Sequence, residues 1–79
     1  MSTPIKHRNQ ELLKKIGANI RHYRQLLGLS QTELANLCDV ELSTINRIEL
    51  GKSSPTISLL FVVAEQLQVQ PEELIKFDN

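Results

Sequence analysis

The stretch from Ser30 to Gly51, SQTELANLCDVELSTINRIELG, constrains the fold more than any other part of the chain. Ser30-Gln31-Thr32-Glu33 fits a capping box. In that motif the serine hydroxyl accepts from the backbone N–H three residues on, and the glutamate carboxylate reaches back to the serine N–H. A helix starting at Gln31 turns Leu34, Ala35 and Cys38 inward at helical spacing. It should stop near Asp39, a residue type that tolerates the left-handed conformation, with Val40 pointing inward from the turn. A second helix is expected from Leu42 to Leu50, with Gly51 just beyond its end. Its inner stripe is Ile45 and Ile48. At about 100° per residue, Ser43, Asn46, Arg47 and Leu50 fall on the opposite face, and Leu42 lies to one side. Glu49 sits beside the inner stripe.

A hydroxyl, an amide and a guanidinium clustered on one short helix suit base edges in the major groove, where Arg pairs with guanine and Asn with adenine. Ala35 is small enough to let the second helix cross closely over the first. Cap, apolar pair, turn and second apolar stripe together describe a helix-turn-helix.

On these residues the chain resembles the Cro-repressor/XRE-like family of bacterial and phage transcriptional regulators. The resemblance rests on Gly28-Leu29-Ser30-Gln31, Leu34-Ala35, Val40, Ser43-Thr44-Ile45, Arg47-Ile48-Glu49, Gly51-Lys52 and Pro55, and extends from about Ile16 to Leu74. It implies an all-α, five-helix, lambda-repressor-like DNA-binding domain with the helix-turn-helix at helices 2 and 3. It also implies a buried structural ion pair between Arg24 and Glu49. Asp39 stands where the family often has Gly, and Glu41 where it often has Ser. Glu41 puts a carboxylate at the mouth of the recognition helix, which weakens the grip on phosphate there or favours a cytosine amino group.

Seventy-nine residues, 41% of them apolar, suffice for one small domain. No apolar run approaches the roughly 18 residues that suggest a membrane span. The polar start, with His7 and Arg8, does not read as a secretory signal. A single cysteine, Cys38, is consistent with a reducing cytoplasm. Net charge is zero, but the distribution is polarised. Residues 1–30 hold six cations and one anion, and residues 31–79 hold three cations and eight anions.

Residues 1–8 read as a loose N-terminal arm, with Lys6, His7 and Arg8 able to follow a DNA backbone, and residues 9–79 as the single domain. The first helix is expected from Asn9 to Leu27, with Leu13, Ile16, Ile20, Tyr23 and Leu27 inward. Gly17 within it permits close approach of a neighbour. Arg24 lies near the apolar stripe and needs a partner, for which Glu49 is the obvious choice. Thr56 caps a fourth helix, Ile57 to Leu67, with Ile57, Leu60, Val63, Ala64 and Leu67 as its core stripe. Pro71 opens a fifth at the favoured first position, anchored by Leu74 and Ile75. Leu59, Val62 and Phe77 are left as candidate dimer contacts.

Enzyme chemistry finds no support. His7, His22 and Cys38 have no metal-ligand spacing, Cys38 reads as core packing, and the three glycines form no phosphate loop. No cofactor is expected. The leading expectation is a homodimeric regulator binding double-stranded DNA at a palindromic operator. Leu42, Ser43, Asn46 and Arg47 would contact bases, and Gln31, Thr44, Lys52 and Ser53 phosphates. The alternative is a protein-interaction module of the same fold, such as an antitoxin that wraps a toxin.

Overall fold

The computed structural model describes residues 5–77. Five helices follow in order: α1 (Ile5–Leu26), α2 (Gln31–Cys38), α3 (Leu42–Glu49), α4 (Ile57–Leu67) and α5 (Pro71–Leu74). No strand occurs among the described residues.

Local signals account for most of the boundaries. Ser30 Oγ accepts from Glu33 N at 3.0 Å, and Ser30 N donates to Glu33 Oε1 at 2.8 Å, closing the capping box of α2. Hydrogen bonding from Ser30 to the carboxylate, from its backbone N–H foremost, holds the Glu33 carboxyl below its ordinary pKa. Asp39 takes φ 57°, ψ 45° and ends α2 in the left-handed conformation. Gly28 and Gly51, at φ +70° and +73°, terminate α1 and α3. In each case the residue after the glycine bonds back five positions, Leu29 N to Arg24 O at 3.1 Å and Lys52 N to Arg47 O at 2.9 Å. Thr56 Oγ1 caps α4 by accepting from Leu59 N at 3.1 Å.

The core gathers Ile20 from α1, Leu34, Ala35 and Cys38 from α2, Ile45 and Ile48 from α3, Leu60, Val63, Ala64 and Leu67 from α4, and Leu74 from α5. Each comes from the stripe expected of its helix. Burial also raises the pKa of the Cys38 thiol.

Four expectations are corrected. Helix α1 begins at Ile5 rather than Asn9, so residues 5–8 are helical instead of belonging to the arm; residues 1–4 lie outside the described residues. Leu27 falls past the end of α1 and is 41% exposed. Ile57 shares the angle of the α4 stripe, yet it occupies the first turn, where no facing element covers it, and is 73% exposed. Ile75 follows α5 as its cap residue and is half-exposed; of that helix Leu74 is the buried residue.

Helix α1 is the strut that holds both ends of the domain. At one end Asn19 Nδ2 donates to Leu74 O at 2.9 Å and Lys76 O at 3.0 Å, and Tyr23 Oη donates to Glu73 Oε1 at 3.2 Å. Desolvation, then Glu73, raises the Tyr23 pKa. Lys15 Nζ lies 5.6 Å from the centre of the Phe77 ring. Toward α3, Gly17 is buried, and a Cβ there would be driven into the carbonyl oxygens of Ile48 and Glu49. The missing side chain lets α1 lie directly against the backbone at the end of α3.

Candidate nucleic-acid interface

Helix α3 is clamped on its inner side and open on its outer one. Ile45 and Ile48 are 1% and 2% exposed, and Glu49 beside them is 8% exposed. Leu42, Ser43, Asn46, Arg47 and Leu50 are all exposed. Of the four residues expected to contact bases, Ser43, Asn46 and Arg47 therefore share one accessible face of a helix held from behind, and Leu42 is exposed to one side of it. Among the expected phosphate contacts, Lys52 is exposed in the turn after α3, whereas Ser53, Thr44 and Gln31 are half-buried. Glu41 precedes α3 with no side-chain capping bond, leaving its carboxylate exposed at that end.

The clamp is the ion pair between Arg24 and Glu49. Arg24 Nε donates to Glu49 Oε2 at 2.6 Å and Nη2 to Oε1 at 2.9 Å, while Nη1 donates to Leu29 O at 2.8 Å. Both ends of the guanidinium fork and both carboxylate oxygens are used, which is what tolerates charge in a nearly dry site. No buried side-chain polar atom among the described residues lacks a partner.

Two features of the site escape sequence reasoning. Gln31 Nε2 donates to Glu49 Oε1 at 3.0 Å, and Asn46 Nδ2 donates to Gln31 Oε1 at 3.3 Å. A residue expected to touch phosphate is thus also a bridge from the ion pair to a residue expected to touch bases. The second is Lys14, which lines a groove of about 610 Å³ with Asn9, Gln10, Leu13, Leu50, Gly51 and Lys52. This brings Lys14 to the same groove as Lys52, beyond the end of α3. Neither feature has a local signature, since each depends on how separate helices cross.

Of the three candidate dimer residues, only Val62 is exposed. Leu59 is half-buried and packs against the core, and Phe77 is half-buried with Lys15 over its ring. Phe61, 56% exposed, and Ile57 complete an apolar surface on α4 with Val62. No helix among the described residues is long and apolar enough to cross a membrane. No cluster of three potential metal ligands occurs among them either.

The profile of the Helix-turn-helix family HTH_3 matches residues 20–74. An HTH-type transcriptional regulator of Archaeoglobus fulgidus is 35% identical over 60 residues, covering 76% of this chain and 86% of the relative. One from Methanocaldococcus jannaschii is 33% identical over 60 residues, covering 76% and 91%. Among solved structures, the restriction-modification controller protein C.AhdI of Aeromonas hydrophila superposes with a TM-score of 0.76 at 32% identity, over 78% of this chain and 94% of that one. The hypothetical transcription factor NHTF from Neisseria gives 0.80 at 25% identity, over 96% and 84%.

Proposed function

Since the chain belongs to the HTH_3 (XRE-like) helix-turn-helix family of DNA-binding transcriptional regulators, we propose that it binds double-stranded DNA sequence-specifically, as a homodimer on a palindromic operator. One observation carries this reading: α3 exposes Ser43, Asn46 and Arg47 on a single face while Ile45, Ile48 and Glu49 hold it from behind. A helix fixed in this way enters a major groove without losing further conformational freedom. Arg47 reads a guanine and Asn46 an adenine, Ser43 adds a hydroxyl, and Leu42 meets a thymine methyl. Lys52, Ser53, Thr44 and Gln31 set the register on the backbone through charge, hydroxyls and an amide.

The apolar surface of Ile57, Phe61 and Val62 on α4 supports pairing of two copies. A two-fold pair would place its recognition helices one turn of duplex apart, about 34 Å. The same surface favours a second reading, an antitoxin-type or other protein-interaction module, in which a different protein covers it.

Selection from a random duplex pool separates the two. Enrichment of an inverted repeat with half-sites about one turn apart is the expected result. Failure to enrich any sequence overturns the DNA reading and leaves the partner reading.

A further inference from the structure

The groove of about 610 Å³ between α1 and the end of α3 has no part in the base contacts assigned above. Its apolar lining is Leu13, half-buried, and Leu50, half-exposed. Its polar lining is Asn9, Gln10, Lys14 and Lys52, all four exposed. No carboxylate among the described residues lines it. The two lysines are far apart in sequence, and backbone packing fixes them together. A Cβ at Gly51 would lie 2.7 Å from Lys14 Cγ, 2.8 Å from Lys14 Cα and 2.9 Å from Lys14 N. With no side chain there, the turn after α3 rests directly on α1 at Lys14, and Lys52 is the next residue. A cleft lined by charges of one sign focuses its field on the opposite ion.

We propose that this groove takes the sugar–phosphate backbone flanking the bases that α3 reads, with Lys14 of α1 as a phosphate contact beside Lys52. Leu50 is exposed at the outer end of α3 and also lines the groove, so the groove continues the surface assigned to DNA. Lys14 and Lys52 meet phosphate oxygens through charge, and Asn9 and Gln10 through amide N–H groups. The two leucines match the carbon skeleton of deoxyribose between the phosphates. Such contacts carry no base information directly; they set the register of the protein on the duplex. Because α1 rests on Gly51, a phosphate held by Lys14 also fixes the far end of the recognition helix. The inference rests on the DNA reading and adds to it a flanking stretch of backbone and the α1 residue that holds it.

The test uses the full chain with Lys14→Gln, Lys14→Arg and, as a control, Lys15→Gln, a lysine of the same helix that lies over Phe77. Each is titrated by fluorescence anisotropy against the selected duplex and its single-base variants, with thermal melts to compare folding; Lys14→Met substitutes if the Gln variant melts early. One phosphate contact carries a log–log salt slope of about 0.9, or roughly a 3-fold loss of affinity between 50 and 200 mM salt. Lys14→Gln is expected to lower the slope by that amount and leave the ranking of the single-base variants unchanged. Lys14→Arg, which keeps the charge, is expected to keep the slope, and Lys15→Gln to change it less than Lys14→Gln does. A slope unchanged by Lys14→Gln would overturn the inference and leave the groove to an acidic protein partner. Equal changes in Lys14→Gln and Lys15→Gln would overturn it as well, by reducing the effect to net charge. If the unaltered chain enriches no duplex, the DNA reading itself falls, and this inference with it.

Discussion

Arg24 and Glu49 meet in a two-pronged ion pair, with Nε to Oε2 at 2.6 Å and Nη2 to Oε1 at 2.9 Å, both side chains being at least nine-tenths shielded from solvent. The pair ties α1 to the last residue of α3. Removing one partner leaves the other charge buried and uncompensated. Arg24→Ala should destabilise the domain by about 3–5 kcal/mol, measured by urea unfolding. An Arg24→Met, Glu49→Leu double variant leaves no stranded charge and should recover much of that loss. A double variant no more stable than Arg24→Ala would show that the cost is lost packing instead.

Gly17 offers a test of opposite sign to intuition. Replacing a mid-helix glycine by alanine ordinarily stabilises by about 1 kcal/mol. Here the new methyl would collide with the Ile48 and Glu49 carbonyl oxygens, which belong to the helix backbone and cannot swing aside. Gly17→Ala should therefore destabilise, by about 1–3 kcal/mol as for other overpacked sites, and should weaken DNA binding by displacing α3. A rise in Tm would contradict the close approach of α1 and α3.

The capping box predicts an acid dependence. Glu33 has a lower pKa folded than unfolded because Ser30 hydrogen-bonds its ionised carboxylate. Its contribution is full above the ordinary carboxylate value and is lost as pH falls through the depressed one. The Tm difference between the unaltered chain and Glu33→Ala should be largest near neutrality and shrink in acid. A difference that stays constant throughout the acid range would contradict this.

Much of the helix-turn-helix was legible because its determinants are local. Ser30 and Glu33 lie one helical turn apart, Asp39 and Gly51 mark ends by their tolerance of positive φ, and Ile45 with Ile48 mark a face. The start of α1 was not legible, because Ile5 is the one apolar residue among residues 5–8 and its neighbours a turn on, Arg8 and Asn9, are polar. Lys6 and Arg8 are nonetheless good helix formers. Ile57 and Ile75 show the limit of the same method. Spacing gives the angle at which a side chain leaves its helix, but not whether a neighbour extends far enough to cover it. The bridge from Glu49 through Gln31 to Asn46 depends on the crossing of α2 and α3, which no local pattern encodes. Arg24 and Glu49 were paired in advance by the need to neutralise a charge near the apolar stripe and by the family resemblance.

Lys52 separates grip from reading. It lies in the turn after α3, exposed and off the helix face. Lys52→Ala should weaken binding to all duplexes alike and lower the salt slope by roughly one. A loss confined to particular base pairs, seen in gel shifts across a salt series, would assign it a different role.

The outward face of α3 is tested most directly at Arg47, by titrating Arg47→Ala against the selected duplex and its single-base variants in a gel shift. Affinity for the selected duplex should fall by about 1–3 kcal/mol, with the preference relaxed at one guanine. Unchanged affinity together with an unchanged base preference would contradict the assignment of α3 as the element that reads DNA.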